Sequence, residues 1–258
     1  MPAPRSHRRV RTPVGSRPVV GALLRELGEL LITAGFVVLL FVVYELWVTD
    51  IFAARDQRKL HTAIERTWSR PGVAAPRASA PAGVPAGEPS ASAGAPVSAP
   101  AVKLGDGFAI LRIPRFGSGY SPVIVEGVAT DDLRKGPGHY PGTAMPGAIG
   151  NFVVSGHRTT YLHPFGDLDR LRIGDPIVVE VADRYYTYRV TQSEVVAPSD
   201  LAVIAPLPDH LGIRPTRAML TFTTCNPKYS ASTRLVVHAQ LHATTMKSRG
   251  LPAAISAG

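Results

Sequence analysis

The stretch MLTFTTCNPKY, residues 219–229, carries the pattern from which the fold can be argued. Its first five residues are apolar or β-branched, which is typical of a strand, and Pro227 ends the strand because it cannot donate a ladder hydrogen bond. Six similar short runs are separated by Gly, Pro, Asp and Asn, and they lie at 108–113, 123–125, 152–154, 177–181, 185–190 and 235–241;. Seven or eight short strands in about 140 residues predict an all-β domain, either an antiparallel barrel or a sandwich.

The segments before this domain have a different composition. In residues 71–100, Pro, Ala, Gly and Ser fill 25 positions, which predicts a disordered, semi-extended linker over 71–101 whose expected role is reach;. Residues 49–70 carry mixed charge, and Leu60, Ile64 and Trp68 at four-residue spacing predict an amphipathic juxtamembrane helix;. We therefore place the folded domain at 102–243 and a C-terminal tail at 244–258.

A membrane segment is predicted at 30–48, LLITAGFVVLLFVVYELWV, which has one charged residue and is apolar on every face;. The disordered Arg-rich tail at 1–29 precedes it, so the positive-inside rule places the N-terminus in the cytoplasm and the β domain outside the cell;. The alternative is a cleaved signal peptide. That alternative requires a small-x-small cleavage site, and Phe52-Ala53-Ala54 is a poor one;. We expect a single-pass protein of the cell membrane.

Charge and cysteine content exclude several classes of function. The chain of 258 residues has a formal charge of +9, but residues 101–245 carry only +2 of it. Since the basic excess lies in the terminal segments, a nucleic-acid-binding face is not expected. A single Cys excludes an intrachain disulfide framework and multi-cysteine metal sites, and no His or Cys pair has metal-site spacing;. We therefore expect no metal and no cofactor.

The candidate chemistry centres on Cys225, which ends a strand and so lies at the rim of a barrel. A free thiol outside the cell is a liability unless it is used, although many free cysteines are buried and structural. Among eight histidines, His157 is the best partner because it also follows a strand end, whereas His238 lies within a strand, where a structural role is expected. Arg234 begins the next strand, where an antiparallel pairing brings it to the same end as Cys225. Its guanidinium would stabilise an oxyanion, unless it is simply a solvated surface charge.

These residues resemble the signature of the sortase family. The signature is Thr221-Phe222-Thr223-Thr224-Cys225 with His157 upstream and Arg234 nine residues downstream, and Phe222 replaces the usual Leu. The stretches FAILRIPRFG, GPGHYPGTAMPG, GNFVVSGHRTTY and TTCNPKYSA are similar to class E sortases of high-GC Gram-positive actinobacteria. The resemblance covers about residues 108–241 and implies an eight-stranded β-barrel with short helices or 3-10 turns.

The resemblance also implies a reaction and a set of partners. Cys225 would be the nucleophile, His157 the proton donor and acceptor, and Arg234 the group that stabilises the oxyanion and positions the sorting peptide. Thr224 would contact the substrate backbone, and Tyr140 matches a tyrosine associated with preference for Leu-Ala-x-Thr-Gly over Leu-Pro-x-Thr-Gly. The substrates would be secreted proteins with a C-terminal sorting signal, cleaved between Thr and Gly and joined to a peptidoglycan-precursor amine. The enzyme would act as a monomer at the membrane.

Three other interpretations remain open at this point. A hydrolase would use the same three residues with water as the acceptor. A pilin-polymerising sortase would use a Lys of another subunit, although the class E-like loops argue against it. A non-catalytic, membrane-tethered barrel would bind peptides or wall material, and an intact Cys225–His157–Arg234 set argues against that interpretation.

Overall fold

The computed structural model describes residues 17–44, 49–70 and 102–256. The predicted linker at 71–101, most of the predicted N-terminal tail and residues 45–48 of the predicted membrane segment lie outside this description. The described chain divides into two units, one containing the first helix and the other beginning at Trp47.

The first unit is a single helix, α1, Arg17–Val43. Within the described residues it is the one helix long and apolar enough to cross a membrane, over Gly21–Val43. It begins at Arg17, so residues 17–29, which the sequence predicted as part of a disordered tail, are helical, and an exposed Arg25–Glu29 pair at 3.0 Å adds a small stabilisation across one turn;. Its length and composition are consistent with a membrane anchor.

The second unit is a closed eight-stranded β-barrel with few short helices, which confirms the predicted fold class. The strand order around the barrel is β1-β2-β3-β4-β7-β8-β6-β5. The helices of this unit are α2 (Thr49–Trp68), α3 (Thr130–Leu133) and α4 (Ala253–Ser256). The strands are β1 (Gly107–Arg112), β2 (Val123–Glu126), β3 (Gly138–His139), β4 (Gly150–Ser155), β5 (Pro176–Glu180), β6 (Arg184–Val196), β7 (Ala218–Asn226) and β8 (Thr233–Met246).

The barrel is mixed, whereas the strand pattern suggested an antiparallel arrangement. β2 pairs with β3 in parallel, and β4 pairs with β7 in parallel from Gly150 opposite Ala218 to Ser155 opposite Thr223. The two-residue strand β3 was not predicted, because a Gly- and Pro-rich segment has no local strand signal. The parallel β4–β7 pair places the C-terminal ends of both strands at the same end of the barrel.

Strands β6 and β8 are longer than their apolar runs. They pair with each other from Arg184 opposite Met246 to Val196 opposite Arg234, so their ends extend beyond the core. The barrel interior is filled by buried side chains that include Leu111, Phe152, Tyr188, Leu220 and Val237. Since β8 reaches Met246 and α4 follows it in the same unit, the folded unit extends past the predicted domain end at 243.

Helix α2 packs directly on the barrel. Its residue Ile64 is buried with Ile110 of β1 and Val123 of β2, and Leu60 and Trp68 pack against this small cluster. These three helix residues form the stripe that the sequence predicted. Because the stripe contacts β1 and β2, residues 49–68 belong to the folded unit and are more than a separate juxtamembrane segment.

Candidate active site

Cys225 and Arg234 lie directly opposite each other in the antiparallel β7–β8 pair. β7 ends one residue after Cys225, and β8 begins one residue before Arg234, so both lie at the turn end of this hairpin. Residues opposite each other on neighbouring antiparallel strands have Cβ atoms about 5 Å apart. The strand pairing therefore sets Cys225 and Arg234 beside each other, as the sequence predicted, and Cys225 is half-buried.

His157 reaches the same end of the barrel through the parallel β4–β7 pair. The paired register ends at Ser155 opposite Thr223, and His157 follows two residues later, at the end of the barrel where β7 carries Cys225. The backbone follows β7 closely, since the N–H of Gly156 donates to the carbonyl of Thr223 at 3.2 Å. A Cβ on Gly156 would lie 2.7 Å from the ring of Phe165, so only glycine fits the bend before His157;.

The environment of His157 favours the neutral imidazole. Burial is the main cause that lowers the pKa of His157, and the positive charge of Arg134 lowers it further;. The ring of His157 packs against the ring of Tyr161 at a tilt of 38°, with centroids 4.9 Å apart, and the guanidinium of Arg134 lies 6.0 Å from the centre of the Tyr161 ring. Within the described parts of the chain, the buried Nε2 of His157 has no hydrogen-bond partner. A neutral imidazole of this kind can accept a proton from a thiol.

Thr224 contacts the segment that carries His157. Its hydroxyl donates to the carbonyl of Gly156 at 2.7 Å, and the residue is only 2% exposed. The hydroxyl of Thr224 therefore donates its hydrogen bond within the protein, whereas the family resemblance implies that Thr224 contacts the substrate backbone. This hydrogen bond ties the residue before Cys225 to the residue before His157.

Arg158 is a residue of this site that the sequence reasoning missed. Its Nη1 donates to the carbonyl of Cys225 at 3.3 Å and to Oδ1 of Asn226, and its Nη2 lies 3.3 Å from Asp169. The side chain is almost fully buried, and its Nε has no hydrogen-bond partner among the residues described. Its position next to His157 was the available signal, but an Arg in a loop is usually a surface charge.

Arg234 and Tyr140 are both partly exposed. The Nη1 of Arg234 donates to the carbonyls of Ala231 and Thr233, each at 3.0 Å, so the β7–β8 turn holds the guanidinium. Tyr140 directly follows β3, and its N–H donates to the carbonyl of Val153 in β4 at 2.9 Å. The structure thus places Tyr140 beside the strand that leads to His157.

The N-terminal end of α2 contacts the loop that follows His157. The carboxylate of Asp50 accepts a hydrogen bond from the N–H of Leu162 at 2.7 Å. Tyr161, Leu162 and His163 all have positive φ, at 52°, 63° and 36°, a backbone region that non-glycine residues rarely occupy;. The Asp50 contact therefore supports a strained segment whose Tyr161 ring packs on His157;.

Among the described residues, no group of three potential metal ligands lies at this site. The described residues include one cluster of three potential ligands, and neither Cys225 nor His157 belongs to it. The arrangement at the rim is a thiol, an imidazole and a guanidinium on neighbouring segments, which is suited to nucleophilic chemistry at a carbonyl group.

Comparison with known proteins gives one consistent result. Residues 111–242 match the sortase domain family. Sortase SrtE1 of Streptomyces coelicolor is 32% identical over 239 residues, which cover 90% of this chain and 60% of the relative. The chain thus spans less than two thirds of the length of that relative.

Solved structures agree with this match. Sortase E from Streptomyces avermitilis is 41% identical with a TM-score of 0.54, and the alignment covers 59% of this chain and 99% of that one. Sortase E1 from Streptomyces coelicolor, solved with a tripeptide in the active site, is 37% identical with a TM-score of 0.54 and covers 60% of this chain and 99% of that one.

Proposed function

This chain belongs to the sortase family, and on that premise we propose that it is a cysteine transpeptidase that attaches secreted proteins to the cell wall. Cys225 is the nucleophile, His157 transfers protons, and Arg234 stabilises the oxyanion. The observation that supports the proposal most is the strand register, which sets Arg234 opposite Cys225, and the backbone hydrogen bond from Gly156 to Thr223 keeps the segment before His157 alongside β7.

The first half of the reaction forms a thioacyl enzyme. The thiol of Cys225 transfers its proton to the neutral imidazole of His157, and the thiolate attacks the Thr carbonyl carbon of the sorting signal. The carbonyl oxygen becomes an oxyanion, which the guanidinium of Arg234 and backbone N–H groups stabilise. The Thr–Gly bond then breaks, and His157 returns its proton to the leaving Gly amine.

The second half transfers the acyl group. An amine of a peptidoglycan precursor attacks the thioester carbon, and His157 accepts the proton that this amine releases. The C–S bond breaks, Cys225 regains its proton, and a new amide joins the substrate protein to the precursor. Hydrolysis would follow the same steps with water in place of the amine.

Two buried contacts support this assignment of roles. The Thr224–Gly156 hydrogen bond and the Arg158 contacts to Cys225 and Asn226 fix the nucleophile segment against the His157 segment. We assign Thr224 a positioning role in place of the implied substrate contact. Buried, hydrogen-bonded supports of this kind hold reactive groups at a productive distance.

The substrate assignment rests on the relatives and on Tyr140. A tripeptide occupies the active site of Sortase E1 from Streptomyces coelicolor, which supports a peptide substrate for this chain. We propose that the sorting signal is Leu-Ala-x-Thr-Gly, because Ala keeps a backbone N–H that Pro lacks, and the Tyr140 hydroxyl is a group able to read it.

The envelope location rests on α1 and on the charge pattern. We propose that α1 anchors the chain as a single pass, with the Arg-rich N-terminus in the cytoplasm and the barrel outside, where wall precursors are available;. Protease added to intact cells should then remove the barrel, whereas a protected barrel would contradict this topology.

The test of the activity is mass spectrometry of a Leu-Ala-x-Thr-Gly peptide incubated with the enzyme, with and without an added amine. The expected products are the amine-linked peptide when the amine is present and slow hydrolysis when it is absent. Cys225→Ala should form neither product while keeping its fold. Equal hydrolysis with and without amine would establish a peptidase, and no cleavage by a folded enzyme would favour the binding barrel.

A further inference from the structure

A buried histidine away from the candidate active site faces two carboxylates. The Nε2 of His238 on β8 lies 3.0 Å from Oε1 of Glu194 on β6 and 3.8 Å from Oδ2 of Asp209 in the β6–β7 connection. The three ligand atoms all lie within 4.8 Å of one another. The positions 194, 209 and 238 form no sequence motif, which is why the sequence predicted no metal.

The hydrogen bonds on the other side of the ring fix where its proton lies. The amide nitrogen of Asn151 donates to the carbonyls of Val203 and Ala205, at 3.3 and 3.0 Å, so its Oδ1 must act as the acceptor for Thr221. The hydroxyl of Thr221 has one hydrogen, and it is donated to that oxygen at 2.7 Å;.

Thr221 can therefore only accept from His238. The Nδ1 of His238 lies 2.9 Å from the Thr221 hydroxyl oxygen, so Nδ1 carries the hydrogen;. In the neutral ring, Nε2 then carries a lone pair that faces the carboxylates of Glu194 and Asp209. All three groups are hydrogen-bond acceptors, and no hydrogen lies between them. Such a cluster requires a cation, which is either a second proton on the ring or a metal ion.

We propose that Glu194, Asp209 and His238 form a binding site for a divalent transition-metal ion of the zinc class. Imidazole nitrogen with two carboxylate oxygens suits Zn²⁺, whereas Ca²⁺ and Mg²⁺ prefer all-oxygen ligands. Bonds of about 2.0–2.1 Å in tetrahedral geometry separate ligand atoms by roughly 3.3 Å, and the two distances from Nε2 bracket this value;. Water would supply the fourth ligand.

The surroundings also match those of metal sites. A histidine that binds a metal usually donates its other ring N–H to a polar group that fixes the ring, and the Thr221–Asn151 chain does this for His238;. His238 is buried, while Glu194 and Asp209 are partly exposed, so the ion can reach the site from solvent.

An ion at this position would join three parts of the barrel. It would link β8, β6 and the connection that holds Asp209, whose φ of 64° is unusual for a non-glycine residue;. Asn151 already holds the carbonyls of Val203 and Ala205 in the same connection. The ion would therefore lock the β6–β7 connection onto the barrel, independently of the proposed transpeptidase activity.

The test measures Zn²⁺ and Co²⁺ binding to the protein after chelation and dialysis, in a Cys225→Ala background that removes the thiol as a competing ligand. We expect one ion per chain, a higher melting temperature with Zn²⁺, and visible Co²⁺ absorption of the tetrahedral type. Asp209→Asn and Glu194→Gln should each weaken binding at least tenfold, since changing even the outer-shell partners of metal ligands weakens binding by about 10–100-fold.

Glu65→Gln, at an exposed carboxylate on α2, is the matched control and should bind as tightly as the parent. Asp209 is a partly exposed position, so its variant remains informative if changes at buried His238 impair folding. No binding at a hundredfold excess of ion, or equal binding by Asp209→Asn and the control, would overturn the proposal. Retention of a doubly protonated His238 ring in the presence of excess Zn²⁺, seen by NMR, would overturn it as well.

Discussion

Replacing Gln57 by Ala is expected to destabilise the barrel unit by about 3 kcal/mol. The Gln57 side chain is buried, and its oxygen accepts a hydrogen bond from the N–H of Val123 at 2.7 Å. Its nitrogen donates to the carbonyls of Val123 and Lys135 at 3.2 and 2.6 Å. The variant leaves the buried N–H of Val123 without an acceptor, which costs about 1–3 kcal/mol. The carbonyls of Val123 and Lys135 each lose a donor as well, which adds to that cost.

The assay is urea unfolding of a fragment that begins at Thr49 and so lacks α1. Thr62→Ala is the matched control, because Thr62 is exposed on the same helix and its hydroxyl contacts only the Arg58 carbonyl. We expect the control to unfold within about 0.5 kcal/mol of the parent. A fragment that begins at Val102 lacks α2. Its free energy of unfolding should fall by more than that of Gln57→Ala, because losing the helix also exposes Ile110 and Val123;.

Two results would refute this reasoning. One is a Gln57→Ala fragment as stable as Thr62→Ala. The other is a fragment from Val102 that equals the longer fragment in both unfolding midpoint and peptide turnover. The second result would also show that the Asp50–Leu162 contact does not support the segment beside His157.

Five further results are expected. Arg234→Ala should lower kcat by on the order of 100-fold. Arg234→Lys should restore little of this activity, since the ammonium lacks the planar two-pronged donor of a guanidinium. A folded Arg234→Ala enzyme whose kcat is within threefold of the parent would exclude the oxyanion role. Tyr140→Phe should reduce the preference for Leu-Ala-x-Thr-Gly over Leu-Pro-x-Thr-Gly, measured as the ratio of kcat/KM values, by about 1 kcal/mol. Equal kcat/KM values for the two peptides in the unaltered enzyme would contradict this prediction. His157 has a lower pKa in the folded protein than in the unfolded chain. The free energy of unfolding should therefore fall as the pH drops below about 6.5, the ordinary pKa of histidine;. Arg134→Gln should raise the pKa of His157 in an NMR titration, and an unchanged pKa would leave burial as the sole cause. Deleting 20 residues within 71–101 should change the unfolding free energy by no more than about 1 kcal/mol, since loop closure depends weakly on length; a larger loss would show that the linker packs on the barrel.

Strand positions were predictable because burial imposes a local pattern. The β-branched runs around Phe152 and Leu220 mark core strands, and the structure places both in the interior of the barrel. The pairing of β4 with β7 was not predictable, because parallel neighbours far apart in sequence leave no local trace. β3 was missed for a related reason, since Gly138 and His139 form a strand only through β2 and β4 on either side.

The predicted site residues differ in how much local information they carried. Cys225 and Arg234 flank one hairpin, so local sequence was sufficient to predict that they meet. His157 depends on the parallel strand pair, and the family resemblance supplied what the spacing could not. Arg158 depends on contacts with Cys225 and Asn226 across the barrel end, which no local pattern encodes.

The packing of α2 changes the meaning of the linker. The sequence suggested that residues 71–101 give the domain its reach from the membrane. Because α2 precedes this linker and packs on β1 and β2, the linker begins and ends on the same folded unit. Residues 71–101 therefore connect two parts of one folded unit and do not separate that unit from α1. Asp50, at the start of α2, also contacts the loop beside His157, so α2 supports the segment next to the candidate active site.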